Sequence, residues 1–198
     1  MANEILLNKE VYQFGENDLP CLITYAEKAG GSQFSVSMVA DLFLRGSKIL
    51  FLTAYPMAKE NILEQVKGEE AKIDFVTEES QLKSGAQMII LESGNENLFL
   101  KAAEKLDDFK NRVVFVKNME VFGDKSIDIC LKQEKLILSG DIDKSSAKEK
   151  IIKKQFKTII VFTKPIVTLP FETPILEKYT GYLWSKEKEG FVSLKIDN

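Results

Sequence analysis

The sequence predicts an α/β protein: a three-layer α/β/α sandwich on a mostly parallel sheet, with an antiparallel hairpin near its C-terminal end. Three observations predict it. Apolar, β-branched runs alternate with amphipathic segments along the 198 residues. Those runs are apolar at nearly every position, the pattern of strands covered on both faces. Only the last stretch switches to a period of two, the mark of a hairpin strand. No internal repeat and no low-complexity linker interrupts the pattern, so a single domain over 1–198 is expected.

Each element has a local reason. Cys21 to Tyr25 reads as the first buried strand. Phe34 to Arg45 reads as a helix, with Val36, Val39 and Phe43 on one face, Met38 and Leu42 beside it, and Gly46 just past its end. Lys48 to Thr53 is a strand. Pro56 suits a first helical position, and Ala58, Ile62, Leu63 and Val66 make that helix's inner face up to Gly68. Lys72 to Val76 is a half-polar strand and Met88 to Leu91 a wholly apolar one. Glu96 to Phe109 has the clearest helical period, with Phe99, Ala102, Ala103, Leu106 and Phe109 inward. Arg112 to Val116 and Lys135 to Ser139 are strands, and 119–134 carries no legible period. Ser146 to Glu149 is a capping-box pattern opening a helix to about Phe156, with Ala147, Ile151 and Ile152 inward. Thr158 to Thr163 is the last strongly buried strand. Tyr182 to Trp184 and Phe191 to Ile196 form a hairpin across Glu187 to Gly190, at the sheet edge.

Composition excludes whole classes of chemistry. The 44% hydrophobic content and net charge of -3 are those of a folded chain. With no His, neither a Ser-His-Asp nor a Cys-His triad exists, and the commonest metal ligand is missing. Two cysteines make neither a disulfide framework nor a four-thiolate zinc site; Cys21 and Cys130 are expected in the core. Met1 to Glu10 is not a signal peptide, and no run of 18 apolar residues exists. A cytoplasmic protein with no membrane partner is expected. The pI near 5.3 argues against coating nucleic acid through overall charge.

In open α/β sheets ligands bind at the carboxyl ends of the strands, which directs attention to the first strand-to-helix loop, Glu27 to Ser37. Its glycine pair, Gly30 and Gly31, opens a helix as a phosphate cradle does. This strand, small-residue loop and helix, followed by Gly46-Ser47-Lys48-Ile49-Leu50-Phe51-Leu52, resemble the P-loop ATPases of the RecA/KaiC-like group. The resemblance implies a vestigial nucleotide loop of Lys28, Gly30, Gly31, Ser32, Gln33, Phe34 and Ser35. The family pattern is G-x-x-x-x-G-K-[ST]. With Ser35 in the hydroxyl place, Phe34 replaces the lysine; with Gly30 as first glycine, Val36 replaces it and Ser37 supplies the hydroxyl. Neither frame keeps the charge that the lysine puts on the β/γ-phosphates. The stretch matching the family's water-activating acids is Thr53-Ala54-Tyr55, without a carboxylate. Glu92, after the apolar run Met88 to Leu91, resembles a Walker-B acid.

The expected function is therefore a non-hydrolysing relative of these ATPases, a scaffold or regulatory subunit. It has no catalytic residue, metal or cofactor, and it assembles with itself or with an active RecA-like relative. Two alternatives stand beside it. One is an ATP-binding switch or weak ATPase, taking ATP and Mg²⁺ with Lys28 or a partner's residue replacing the missing lysine. The other is a nucleic-acid module using Lys148, Lys150, Lys153, Lys154 and Lys157. Asp141 and Asp143 read as turn residues that could also approach Mg²⁺. Ser93 to Asn97 reads as a loop and helix start, and Tyr182 and Trp184 as an interface anchor or a cap on the sheet edge.

Overall fold

The computed structural model describes residues 3–92 and 96–195, without the side chains of 56–58, Glu92 and Glu96. Strands β1 (Ile5–Leu7), β2 (Glu10–Val11), β3 (Cys21–Thr24), β4 (Ile49–Thr53), β5 (Ile73–Val76), β6 (Met88–Glu92), β7 (Val113–Lys117), β8 (Leu136–Gly140), β9 (Thr158–Val161), β10 (Gly181–Ser185) and β11 (Glu189–Leu194) form one sheet. Its order is β2-β1-β11-β10-β9-β3-β8-β7-β4-β6-β5. The run from β9 to β5 is parallel, and the rest is antiparallel. Helices α1 (Gly31–Leu44), α2 (Pro56–Gln65), α3 (Glu96–Lys105), α4 (Asp124–Leu131) and α5 (Lys148–Lys153) cover it.

Strand residues alternate between two cores. Cys21, Ile23, Phe51, Phe115 and Ile137 face α1 and α2. Leu22, Leu50, Leu52, Val114 and Leu138 face α3, α4 and α5. That is the expected three-layer sandwich. Because α1 lies on the sheet centre, it is buried around most of its circumference, including Ser35 and Ser37.

Several expectations change. β10 and β11 form the predicted hairpin, with Tyr182 opposite Phe191. It is not the edge, because β11 pairs on with β1 and the edge strand is β2. The illegible stretch 119–134 holds a 3-10 turn, Met119–Val121, and α4. α5 is only six residues long. The Ser146 hydroxyl donates to Asp124 (3.1 Å) instead of capping α5, and Ile152 is 41% exposed. α3 ends at Lys105, and Phe109 reaches the core from a following 3-10 turn. β9 stops at Val161, short of Thr163. The inward placement read for Ala58, the Ser93–Asn95 loop and the end of the last strand at Ile196 fall outside the described side chains or residues.

Candidate functional site

β3 runs into a six-residue turn that delivers the chain to α1. Gly30 caps the helix with φ of 95°, a left-handed conformation costly for other residues. Gly31 is the first helical residue, and a Cβ there would run into the Tyr25 ring. Tyr25 leaves the end of β3 and folds back across the helix start. Its amide is held by the Gly140 carbonyl at the end of β8 (3.1 Å).

β8 lies beside β3, and β7 lies beside β8. β7 ends on Lys117, which is 2% exposed. The Lys117 ammonium donates to the Ser32 hydroxyl (2.5 Å) and to the Tyr25 hydroxyl (2.9 Å). Burial lowers the Lys117 pKa to about 8, with Glu120 acting in the opposite sense. Burial pushes the Tyr25 phenol up to about 12. Glu120 itself is anchored: its carboxylate accepts from the Asp141 amide (2.9 Å) and the Asn118 side chain (3.2 Å). Gly140 makes room for it, since a Cβ there would collide with the Glu120 carboxylate and lie 2.7 Å from the Met119 nitrogen.

Tyr25, Ser32, Asn118 and Glu120 floor a cleft of about 750 Å³ at the carboxyl ends of the strands, rimmed by Glu27, Lys28, Tyr55, Asp141, Lys144 and Tyr179, with Lys117 buried beneath Tyr25 and Ser32. Tyr179 comes from the irregular segment 164–180 and packs over Gly30.

The predicted loop residues divide. Lys28, Gly30, Ser32 and Gln33 line the cleft. Phe34 does not; it is buried against Phe162, ring centroids 5.1 Å apart. Ser35 is buried too, and its hydroxyl donates back to the Ser32 carbonyl (2.9 Å). Glu92 is not brought to the loop. It ends β6, with β4, β7 and β8 between it and β3, about 19 Å away at ordinary strand spacing; its side chain lies outside the description. Lys117 was missed, although Val113 to Val116 is as clear an apolar run as the one before Glu92. A Walker-B pattern ends its apolar run in an acid, and this strand ends in a base.

Asp141 accepts from the Asp143 amide (3.2 Å) and Asp143 from the amides of Ile166 and Val167 (2.9 and 3.3 Å), which fixes the turn and ties down the irregular segment. Among the described residues no cluster of three or more His, Cys, Asp or Glu side chains could hold a metal. Of the lysine-rich set, Lys150 pairs with Asp124 and Asp128 (3.2 and 3.0 Å). Lys154 donates to the carbonyls of Leu131, the last residue of α4, and Gln133, just past it (2.7 and 3.3 Å). Lys148, Lys153 and Lys157 are exposed. No helix among the described residues is long and apolar enough to cross a membrane.

No family model matches the chain, and no curated protein matches it. Solved structures do. The genome packaging NTPase B204 from Sulfolobus turreted icosahedral virus 2, in complex with AMPPCP, is 15% identical at a TM-score of 0.56, over 90% of this chain and 98% of that one. EssC (ATPases 2 and 3) from Geobacillus thermodenitrificans is 14% identical at a TM-score of 0.62, over 98% of this chain and 40% of that one. The cytoplasmic domain of EssC is 13% identical at 0.60, over 98% of this chain and 43% of that one, so this chain spans about two-fifths of either EssC structure. At such identities the likeness concerns the path of the backbone. Together with the strand order and the loop leading into α1, it gives this chain the fold of the P-loop NTPases.

Proposed function

We propose that this chain is a non-hydrolysing P-loop-fold domain, a scaffold or regulatory subunit of a protein assembly, whose phosphate loop is satisfied by its own side chains. The observation that carries this reading is the Lys117 ammonium on the Ser32 hydroxyl. Taking Gly30, the left-handed residue that turns the loop into the helix, as the second glycine of the P-loop pattern gives a third frame. Tyr25 stands in the first glycine's place, Gly31 in the lysine's and Ser32 in the hydroxyl's. In P-loop enzymes that hydroxyl and a strand-end aspartate hold Mg²⁺, while the lysine reaches the β/γ-phosphates. Here a strand-end lysine meets the hydroxyl. An ammonium there repels a divalent cation, and the Tyr25 ring fills the space that a side chain at position 31 would use. Both sources of transition-state charge stabilisation go together, each several kcal/mol in this chemistry.

An assembly role draws support from exposed apolar and aromatic side chains. Ile166 and Ile175 are 91% and 94% exposed on segment 164–180, and Tyr55 and Tyr179 stand at the rim. A like-folded EssC structure holds more than one such unit, ATPases 2 and 3. The partner is a second copy or an active P-loop relative. A nucleic-acid role for the lysine-rich stretch is less favoured, because Lys150 and Lys154 already serve structure.

Calorimetry with ATP and Mg²⁺, phosphate-release assays and light scattering test the reading. The natural sequence should bind no ATP below about millimolar and release no phosphate above background, and its mass should exceed one chain alone or on mixing with an active P-loop relative. The combined Tyr25→Gly, Gly31→Lys and Lys117→Asp variant should gain ATP binding of at least about tenfold. Phosphate release by the natural protein that scales with its concentration and disappears in Ser32→Ala would overturn the reading.

A further inference from the structure

A second concavity lies on the sheet face that carries α3, α4 and α5, away from α1. Its floor is Leu22, Ile142 and Ile159; one wall is Ile151, Ile152 and Phe156, and the other is Leu169, Pro170 and Trp184. The six-residue α5 ends at the groove. Beyond it this face of β9 and β10 is covered by irregular chain, with Phe171 stacked on Trp184 (5.3 Å, 12°). Its volume of about 460 Å³ falls within the span of ligand pockets, about 300–1,000 Å³.

Charge selects the occupant. Three charged residues line the groove, Lys153, Lys154 and Lys186, and no carboxylate does, although the chain as a whole carries -3. Lys154 is committed to carbonyls at the end of α4 and contributes its stem. Lys153, on the last turn of α5, and Lys186, in the β10–β11 turn, are exposed, and among the described residues neither has an ion-pair partner. An apolar trough between two unpaired cations matches a helix with apolar side chains on one face and carboxylates along its flanks. It does not match nucleic acid: the floor is aliphatic, and the stacked Phe171 occupies a face of Trp184 that a base would need.

We propose that this groove docks an acidic amphipathic helix of a partner protein, its apolar side chains seated against Ile152, Leu169 and Trp184 and its carboxylates paired with Lys153 and Lys186. The inference is independent of the P-loop cleft.

Trp184 is the only tryptophan of the chain, so its emission reports the groove alone. The probe is a short synthetic helix with leucine at i, i+3, i+4 and i+7 and glutamate at its flanks, compared with the same helix carrying glutamine. The glutamate helix should shift Trp184 emission to the blue, saturably and less tightly as salt rises. Affinity should fall about tenfold with the glutamine helix, and by at least as much in Lys153→Glu with Lys186→Glu. Both lysines are exposed; circular dichroism and the milder Lys153→Gln with Lys186→Gln pair control for folding. No saturable shift, equal affinity for the two helices, indifference to both lysine pairs, or displacement of the helix by a single-stranded DNA oligonucleotide would overturn the proposal.

Discussion

Lys117 sits where few lysines do, buried at a strand end with two hydroxyls for company. Burial holds its pKa at about 8, against about 10.4 in an unfolded chain. Between those values Lys117 binds more protons in the unfolded state than in the folded one, so its own contribution to stability rises with pH through that window. The cost of charging the buried amine is present in full below the folded pKa and is relieved above it. The buried thiols of Cys21 and Cys130 act in the opposite sense: burial raises their pKa values, so only the unfolded chain loses those protons as pH rises. The Lys117 contribution is therefore read against Lys117→Met, in which the thiols are unchanged. From about pH 7.5 to about pH 9.5 the unfolding free energy of the natural protein should gain about 2 kcal/mol relative to that variant. Urea unfolding of both proteins at both pH values checks this; an equal pH dependence in the two would show the ammonium to be better solvated than its burial implies.

Elements are tied together at the opposite end of the sheet by another buried cation. Arg112, 1% exposed, precedes β7. Its guanidinium holds Asp108 bidentately (2.8 and 3.0 Å) and donates to the carbonyls of Ile49, Ala86 and Gln87 (3.2, 2.9 and 3.3 Å). All five donors are thus used, joining the starts of β4, β6 and β7. Burial works against the Asp108 carboxylate, but the hydrogen bonds from Arg112 and Lys48 outweigh it and hold its pKa below the usual range. That contribution is present above the unfolded pKa and is lost as pH falls through the folded one. Arg112→Leu should cost about 3–5 kcal/mol, since it removes the bidentate partner of the Asp108 carboxylate, leaving it only Lys48, and takes one donor from each of three carbonyls. Lys48→Ala, which removes the half-exposed partner of the same carboxylate, should cost under about 1 kcal/mol. Chemical unfolding of the two variants measures the contrast; equal losses would mean that the Arg112 network adds nothing beyond a surface pair. Sequence reading named Arg112 only as a strand residue, because three of its five donors reach carbonyls more than 20 positions away. The turn and helix within 119–134 were hidden for a related reason. α4 has only eight residues, too few for its buried face of Ser126, Ile127 and Cys130 to show a period.

At the scale of the molecule, both cores are built on one sheet, so neither can unfold while the other keeps its strands. Far-ultraviolet circular dichroism and Trp184 fluorescence should therefore give coincident midpoints in a single urea transition; two separated transitions would divide the chain into more than one folding unit. The sequence by itself determined the layer architecture. Strands apolar at successive positions need cover on both sides, and that demand is written locally in Cys21 to Thr24, Ile49 to Thr53 and Val113 to Val116. It also determined that no lysine follows the loop glycines. Tertiary structure alone decided what stands there instead. Lys117 and Ser32 are 85 positions apart, and Lys117 and Tyr25 are 92 apart. They meet because the strand order sets β7 two places from β3 while leaving β6 four places away. Hydrophobic patterning specifies which residues face inward, but strand order is fixed by how the crossovers pack, and no local period encodes it.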